Sequence, residues 1–405
     1  MRPTALLCAL ALIATDARAA GARWIGSWGA SPAPPMDAAK APPALARVAT
    51  PSFDNQTVFQ IVRLSAGGQR LRLRLTNEYG TQPLAIGAAR VALVGPDGAV
   101  LAGSDRAVSF SGAASATIPP GAPLVSDPVA LPAKPLARLQ ISLYLPGDTH
   151  GCTCHANGNE LVRVAAGDAT GRPPPAATDA QYRAFLSGVE VETAAPPAAV
   201  IVAFGDSITD GYQSSVGTNH RWPDRLAERL TARAPGRGVA VVNAGIGGNR
   251  VLSDGAIPIF GQSALARFDR DVLSVPGVTH VIVLEGVNDL GVSRTRPPSA
   301  ESLIAGYRQL IARAHAHGLK IIGATILPYG GAGYFGAPGE AERQKINAWF
   351  RSSREFDGVI DLDAAIRDPA RPDRMRADLQ SGDWLHPNDA GYRVMGEAID
   401  LGLLR

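Results

Sequence analysis

Ser207, His386 and Asp383 are of the residue types that nucleophilic catalysis needs, and they occur in short polar motifs. A serine hydroxyl is a weak nucleophile near neutral pH, so it needs a base within hydrogen-bond reach and a third group that orients this base. Ser207 follows Gly205 and Asp206, and His386 follows Asp383 by three residues. We therefore predict Ser207 as the nucleophile, His386 as the general base and Asp383 as the carboxylate behind it.

Hydrogen-bond donors for a developing negative charge follow the next two predicted strands. A tetrahedral intermediate carries this charge on the former carbonyl oxygen, and preorganised N–H groups stabilise it better than water does. The predicted donors of this oxyanion hole are the main-chain N–H groups of Ser207 and Gly248 and the side-chain amide of Asn288. Gly245 and Gly247 lie so close to Gly248 that the sequence leaves open which glycine donates.

Three further residues are candidates for contacts with a substrate. Asn249 and Arg250 directly follow the predicted donor Gly248, and Tyr334 lies in the segment 329–336, which combines glycines with three aromatic residues. This composition is typical of a mobile wall over an active site, but also of a plain flexible connection. We predict that Asn249, Arg250 and Tyr334 bind the substrate.

The elements that must position these residues are predicted from residue 199 onwards. Here continuous apolar runs, typical of strands buried on both faces of a parallel sheet, alternate with amphipathic helical segments. This alternation predicts a parallel α/β sheet with helices on both faces. The predicted strands are 199–204, 239–244, 280–284, 321–326 and 359–362, and the predicted helices are 222–233, 264–273, 300–316, 340–351 and 388–403. Ligands of such sheets bind beyond the carboxyl ends of the strands, where the catalytic motifs lie.

The region before residue 193 has a different pattern. Residues 60–64, 71–75 and 139–145 alternate apolar with polar side chains, as half-buried strands do, and glycine-containing turns separate such runs. We predict an antiparallel β-sandwich here. The pattern changes near residue 195, which predicts a β-sandwich domain at 21–195 and a catalytic domain at 196–405.

Taken singly, each catalytic motif could be only a helix cap. Their joint presence at successive strand ends, in this order, resembles the SGNH/GDSL hydrolase family over about residues 199–405, and no motif position departs from the family pattern. The resemblance implies a flavodoxin-like three-layer α/β/α fold and a serine esterase or acyl hydrolase that needs no cofactor. It also implies the roles given above for Ser207, Gly248, Asn288, His386 and Asp383.

The resemblance predicts hydrolysis of short-chain carboxylic esters through an acyl-serine, with a small molecule or a polysaccharide as substrate and carbohydrate O-deacetylation as one specific form. A lipase or lysophospholipase activity is the alternative within the family. An alternative of another class is that residues 24–192 bind glycans and that catalysis is secondary. The aromatic residues that could stack on sugars in that region are Trp24, Trp28, Phe53, Phe59, Tyr79 and Tyr144.

Charge and local motifs exclude several other functions. The 405 residues carry a formal net charge of +3, and no block of like charges indicates a nucleic-acid or anionic-membrane partner. The glycine-rich segment lacks the third glycine of a dinucleotide-binding loop, because Arg250 stands in its place. The sequence also contains no G-x-S-x-G, H-E-x-x-H or P-loop motif.

The first twenty residues predict a signal peptide. A positively charged start is followed by an apolar run too short to span a bilayer and by Ala17-Arg18-Ala19, which has the form of a signal-peptidase site. We therefore expect a secreted or periplasmic protein. No later stretch reaches membrane-spanning length, so we expect no stable membrane anchor.

Two cysteines, Cys152 and Cys154, follow the predicted signal peptide. An exported protein could join them in a disulfide, although only one residue separates them, and free thiols are equally compatible with the sequence. A metal site with the neighbouring His150 and His155 is less favoured, because structural zinc sites draw on a second, distant pair of ligands. We predict no metal site.

Overall fold

The computed structural model describes residues 23–36, 50–193, 199–233 and 238–405. The predicted signal peptide at 1–20 lies outside these ranges, and so does the predicted domain boundary at residue 195.

The first region consists of β-strands. Its strands are β1 (Arg23–Gly29), β2 (Gln56–Arg63), β3 (Gly68–Thr76), β4 (Leu84–Ile86), β5 (Ala88–Val94), β6 (Arg106–Val108), β7 (Ala116–Ile118), β8 (Pro123–Val125), β9 (Val129–Ala133), β10 (Arg138–Leu145), β11 (Cys154–His155), β12 (Arg163–Ala166), β13 (Arg183–Ala184) and β14 (Leu186–Thr193).

Two five-stranded antiparallel sheets dominate the described part of this region. One has the order β1-β14-β3-β8, with β9 also paired to β3, and the other has the order β12-β2-β10-β5-β6. In β3 the side chains of Leu71, Leu73 and Leu75 are fully buried, whereas Arg72 and Arg74 between them are half-buried. The alternation thus directs one face of the strand to the core. The predicted β-sandwich is confirmed, and we call it the β-domain.

The second region alternates strands with helices. Its strands are β15 (Ala199–Gly205), β16 (Val239–Gly245), β17 (His280–Leu284), β18 (Lys320–Ala324), β19 (Gly358–Ile360), β20 (Arg367–Asp368) and β21 (Arg371–Met375). Its helices are α1 (Ser207–Asp210), α2 (Trp222–Arg233), α3 (Ala264–Phe268), α4 (Val287–Gly291), α5 (Ala300–Ala316), α6 (Ala337–Ser352), α7 (Leu362–Ile366) and α8 (Asp389–Ala398). Short 3₁₀ turns lie at Pro258–Phe260, Ala377–Leu379 and Leu401–Leu404, and a π-helical segment lies at Asp269–Leu273.

The main sheet of this second region, the α/β domain, is parallel and has the order β16-β15-β17-β18-β19. This is the flavodoxin-like order, with the first strand between the second and the third. Every residue of β15 is buried, as its continuous apolar run predicts. The predicted α/β fold is confirmed, and the ends of β15, β16 and β17 lie side by side.

Some element ends differ from the prediction because polar side chains cap the following turn. The strand predicted at 359–362 stops at Ile360, since the Asp361 carboxylate accepts a hydrogen bond from the Ala364 N–H and begins α7. The helix predicted at 388–403 ends at Ala398, and Asp400 caps a separate 3₁₀ turn. The helix predicted at 264–273 is α3 followed by the π-helical segment.

The two domains pack directly on each other. The Gly26 N–H of β1 donates a hydrogen bond of 2.9 Å to the Pro276 carbonyl, and Arg63 forms an ion pair of 2.9 Å with Glu228. Val200 and Ala240 of the parallel sheet belong to the same apolar cluster as the core of the β-domain. The β-domain is therefore attached to the side of the sheet where β15 and β16 begin, as well as at the contacts described below.

Cys152 and Cys154 form a disulfide, so the alternative of free thiols is not observed. Across the four described ranges, no group of three or more His, Cys, Asp or Glu side chains is arranged to hold a metal ion. A search of the same ranges found no helix with the length and apolar character needed to cross a membrane.

Candidate active site

Ser207 lies at the carboxyl end of the central strand. β15 ends at Gly205, the Asp206 side chain accepts a hydrogen bond of 2.9 Å from the Ile208 N–H, and Ser207 is the first residue of α1. Asp206 is thus a helix cap, as the motif taken singly would predict. The same turn places the Ser207 hydroxyl at the edge of the sheet where ligands of parallel α/β folds bind.

The fold brings Ser207, His386 and Asp383 into one hydrogen-bonded line. The Ser207 Oγ lies 2.8 Å from the His386 Nε2, and the His386 Nδ1 lies 2.6 Å from the Asp383 Oδ2. Ser207 and His386 are 7% and 8% exposed, so solvent has access to only a small part of each. Because Nδ1 donates to the carboxylate, Nε2 is left as an acceptor for the serine proton.

The Asp383 carboxylate is fixed by main-chain contacts. Its other oxygen, Oδ1, accepts hydrogen bonds from the N–H groups of Leu385 at 2.9 Å and His386 at 2.8 Å. Burial by itself would raise the pKa of Asp383, but the hydrogen bonds and the nearby His386 ring hold this pKa well below its ordinary value. The group is therefore an anion throughout the neutral range.

The predicted oxyanion donors meet beside this line. Ser207, Gly248 and Asn288 line the same cavity. The Asn288 Nδ2 donates to the Asn249 carbonyl at 2.9 Å, which leaves its second hydrogen for another acceptor, and the Asn288 Oδ1 accepts from the Tyr334 hydroxyl at 3.1 Å. Tyr334 thereby sets which end of the amide faces the cavity.

The three glycines at the end of β16 and directly after it, Gly245, Gly247 and Gly248, differ in their contacts. The Gly245 N–H donates to the Asn243 side chain at 2.9 Å, so it is not free for an oxyanion. Gly248 has a φ of +72°, and a Cβ atom there would lie 2.5 Å from the Phe260 ring. A Cβ atom at Gly247 would meet nothing within 4 Å. Of the three glycines, Gly248 alone therefore combines a left-handed backbone with close packing at the cavity.

The cavity has a volume of about 590 Å³, within the usual range for small-molecule sites. Much of its wall is apolar, and its apolar lining residues include Ile246, Ile259, Phe260, Val292 and Leu385. Such a wall would accommodate an acyl chain or another apolar group next to the serine.

The predicted substrate-binding residues have different outcomes. Arg250 and Tyr334 line the cavity. No side chain in the described ranges forms an ion pair with Arg250, and its buried Nε has no hydrogen-bond partner there. Asn249, in contrast, is fully buried, and its amide bonds to the Phe260 and Gln262 carbonyls and to the Arg267 side chain. The expectation that the Asn249 side chain contacts substrate is therefore not supported.

A buried cation lies beneath the site. The Arg267 guanidinium donates to the carbonyls of Gly205 and Ala244, both at 2.8 Å, and so joins the ends of β15 and β16. Burial raises the pKa of Asp206 to about 7 and the pKa of Asp289 to about 6. Arg267, Asp206 and Asp289 stabilise the loops around Ser207, and none of the three lines the cavity.

Two contributions to the site had no signal in the sequence. The Tyr212 ring packs against the His386 ring with 4.7 Å between the centroids. His155, Ala156 and Asn157 of the β-domain line the cavity together with the residues of the α/β domain. The cavity thus lies between the domains.

Comparison with known proteins identifies the second region. A family model described as GDSL-like Lipase/Acylhydrolase matches residues 203–394. The chain is also similar to several solved structures. A carbohydrate acetylesterase family member from Sinorhizobium meliloti is 16% identical, with a TM-score of 0.42 over 51% of this chain and 99% of that one. An acetyl xylan esterase from Geobacillus stearothermophilus is 21% identical, with a TM-score of 0.40 over 51% of this chain and 95% of that one.

A lipase/acylhydrolase from Enterococcus faecalis is 25% identical, with a TM-score of 0.37 over 49% of this chain and 92% of that one. A search of curated proteins found no match. The four motifs that resemble SGNH/GDSL hydrolases lie within the region that the family model matches. Residues 203–394 thus match the model of the GDSL-like lipase/acylhydrolase family, in agreement with the resemblance of the four motifs.

Proposed function

We propose that this protein is a serine esterase that hydrolyses short-chain carboxylic esters through an acyl-serine at Ser207. The observation that carries the proposal is the line of hydrogen bonds from the Ser207 Oγ through the His386 ring to the Asp383 carboxylate. Ser207 and His386 at one end of this line face the cavity.

We also propose domains at 21–195 and 196–405, and export through the predicted signal peptide. The Cys152–Cys154 disulfide supports export, because disulfides persist in oxidising compartments.

The first half of the reaction transfers the acyl group to the protein. The Ser207 Oγ attacks the ester carbonyl carbon while the His386 Nε2 takes the hydroxyl proton. The negative charge that forms on the carbonyl oxygen is stabilised by the N–H groups of Ser207 and Gly248 and by the free hydrogen of the Asn288 amide. When the intermediate collapses, the bond to the alcohol oxygen breaks and His386 gives its proton to this oxygen.

The second half regenerates the serine. A water molecule gives a proton to the His386 Nε2 and attacks the acyl carbon, so a second tetrahedral intermediate forms in the same oxyanion hole. The Ser207 Oγ then leaves and takes back the proton. Asp383 remains an anion throughout and stabilises the imidazolium form of His386 in both halves.

The cavity allows more than one acyl group. A short-chain acyl group would leave room for a large alcohol component, and carbohydrate O-deacetylation is the specific form that we propose. The apolar wall around Phe260 and Ile259 favours a second candidate, a lipid acyl hydrolase.

A third reading, a glycan-binding β-domain, gains no support. Trp28, Phe53 and Phe59 are buried, and Trp24, Tyr79 and Tyr144 are only partly exposed. The Tyr79 hydroxyl is engaged at the domain interface with Arg270. No one of these six aromatic side chains is presented as an open stacking surface.

Hydrolysis of a 4-nitrophenyl ester series from acetate to palmitate tests the proposed function. We expect kcat/KM to be highest for acetate to butyrate and to fall for longer chains. A maximum at long chains would replace the short-chain assignment with the lipid acyl hydrolase. The absence of turnover for every ester in the series would refute the esterase proposal itself.

Gly248→Ala is expected to lower kcat by about 10²-fold, because the new Cβ would force the loop away from Phe260 and displace a main-chain oxyanion donor. Gly247→Ala is the matched control. Gly247 also lines the cavity, but its Cβ would meet no atom within 4 Å and its φ is not left-handed, so we expect its kcat to stay within about fivefold of the wild type. Steady-state kinetics of the two variants measure both kcat values. Equal losses in the two variants would contradict the role given to Gly248.

Tyr334→Phe is expected to lower kcat about three- to tenfold with little change in KM, because it removes the hydrogen bond that orients the Asn288 amide. Tyr329→Phe is the control. The Tyr329 hydroxyl is buried without a hydrogen-bond partner in the described ranges, so its removal leaves no group unpaired. If both variants behave like the wild type, Tyr334 does not orient Asn288.

A further inference from the structure

The cavity beside Ser207 is completed by a segment of the β-domain. His155, Ala156 and Asn157 form one part of its lining, although the catalytic motifs all lie in the α/β domain. His155 and Asn157 are separated from Ser207 by about fifty residues of sequence and reach it only through the packing of the domains.

A buried ion pair joins the segment to the helix of the nucleophile. The His155 Nε2 lies 2.9 Å from the Asp210 Oδ1, and Asp210 is the last residue of α1, which begins at Ser207. The two side chains are only 6% and 2% exposed. The His155 Nδ1 lies 3.0 Å from the Ser31 carbonyl, so both ring nitrogens face oxygen acceptors, as they do in a protonated imidazole.

The charge state of His155 agrees with this geometry. Burial by itself would lower the pKa of His155, but the Asp210 carboxylate and the surrounding hydrogen bonds outweigh burial and raise this pKa above its ordinary value. Separating a charged pair in a buried interface is costly, because the loss of either partner leaves an unpaired charge.

Further contacts hold the segment on both sides. The disulfide of Cys152 and Cys154 directly precedes it, and the Cys154 carbonyl accepts a hydrogen bond of 2.9 Å from the Ala33 N–H. On the other side, the Asn159 side chain donates to the Ser214 hydroxyl at 2.6 Å. The segment is thus anchored in the β-domain and lies over the loop that follows α1.

The position of Asn157 relates it to the leaving alcohol. His386 must give its proton to the alcohol oxygen, so the alcohol lies on the His386 side of Ser207. Tyr212, whose ring packs on His386, follows Asp210 by two residues, and the Asn157 amide lies 3.5 Å from the Asp210 carboxylate. Asn157 and Tyr212 line the cavity together with Ser207 and His386, so the Asn157 amide is available to the alcohol component.

We propose that Asn157 hydrogen-bonds a hydroxyl-bearing alcohol component of the ester and that His155 is a positioning residue that holds Asn157 in place through Asp210. A half-buried amide offers one donor group and one acceptor, which suits the paired donor and acceptor character of sugar hydroxyls. The β-domain would thereby contribute specificity for the alcohol rather than an independent glycan-binding surface. This inference rests on the proposed esterase function.

The test compares two esters with the same acyl group: 4-nitrophenyl acetate, whose alcohol has no further hydroxyl, and a monoacetylated methyl glycoside. Both form the same acetyl-serine, so a change in the ratio of their kcat/KM values reports on the alcohol alone. We expect Asn157→Ala to lower the ratio of glycoside to nitrophenyl ester by about three- to tenfold. Gln69→Ala, which removes an exposed amide of the β-domain outside the cavity, is the control and should leave the ratio unchanged.

His155→Gln and the double variant test the positioning role. If His155 acts through Asn157, the single variant lowers the same ratio and the double variant lowers it no further than Asn157→Ala. Additive losses would overturn the positioning role of His155. An unchanged ratio in Asn157→Ala, or a wild type that hydrolyses 4-nitrophenyl acetate but not the glycoside, would overturn the inference about Asn157. A wild type without activity on either ester would instead refute the proposed function.

Discussion

Replacing Ser207 with alanine is expected to lower kcat for 4-nitrophenyl acetate by 10⁴- to 10⁶-fold, on the order of the loss seen when a serine nucleophile is removed from a triad. The Ser207 Oγ is the atom that forms the covalent bond, and no other hydroxyl in the described ranges shares its contact of 2.8 Å with the His386 Nε2. The remaining rate would come from the oxyanion donors and from binding alone. Steady-state kinetics at high protein concentration measure this residual activity.

The control is Ser115→Ala, which removes an exposed hydroxyl of the β-domain that does not line the cavity. We expect this variant to retain the wild-type kcat. Residues that act as one unit are not additive, so Ser207→Ala combined with His386→Ala should be no slower than Ser207→Ala by itself. A Ser207→Ala variant that keeps more than about a tenth of the wild-type activity would show that another nucleophile performs the reaction.

Asp383→Asn is expected to lower kcat by about 10³- to 10⁴-fold while the fold is preserved. The reason is the direction in which the new amide must point. The Asp383 Oδ1 accepts two main-chain N–H groups, so the asparagine oxygen would keep this place and its NH₂ group would face the His386 Nδ1. An NH₂ donor there requires an unprotonated Nδ1, which puts the imidazole proton on Nε2 and removes the acceptor for the serine proton.

Asp378→Asn is the matched control for Asp383→Asn. Asp378 has an exposed carboxylate paired with Arg376 on the same stretch of chain, and exposed ion pairs contribute little to stability. We expect its kcat and thermal midpoint to equal those of the wild type. If Asp383→Asn retained near wild-type kcat with an unchanged thermal midpoint, Asp383 would not be the orienting group of His386.

The position of the nucleophile could be predicted from sequence because its signal is local. Gly205, Asp206 and Ser207 directly follow an apolar run that reads as a fully buried strand, and β15 is that strand. The contact between Ser207 and His386 spans 179 residues, so it could be predicted only from the order of the motifs along a parallel sheet. The structure brings these two residues together, as that order predicts.

Other features depend on contacts that leave no local signal. The Asn249 amide looks like a substrate contact in sequence, but the chain folds back so that the Phe260 and Gln262 carbonyls take its donors. Gly247 and Gly248 are adjacent glycines in sequence, but only Gly248 has a left-handed backbone and packs against Phe260. Asn157 reaches the cavity through domain packing, which residue types and spacing do not encode.

The most direct test of the account is to label the full chain with a fluorophosphonate that reacts with activated serines, and to locate the adduct by peptide mass spectrometry. We predict one adduct, on Ser207, at a rate that Asp383→Asn strongly reduces. An adduct on a different residue, or no adduct on a protein that hydrolyses esters, would contradict the assignment of Ser207 as the nucleophile.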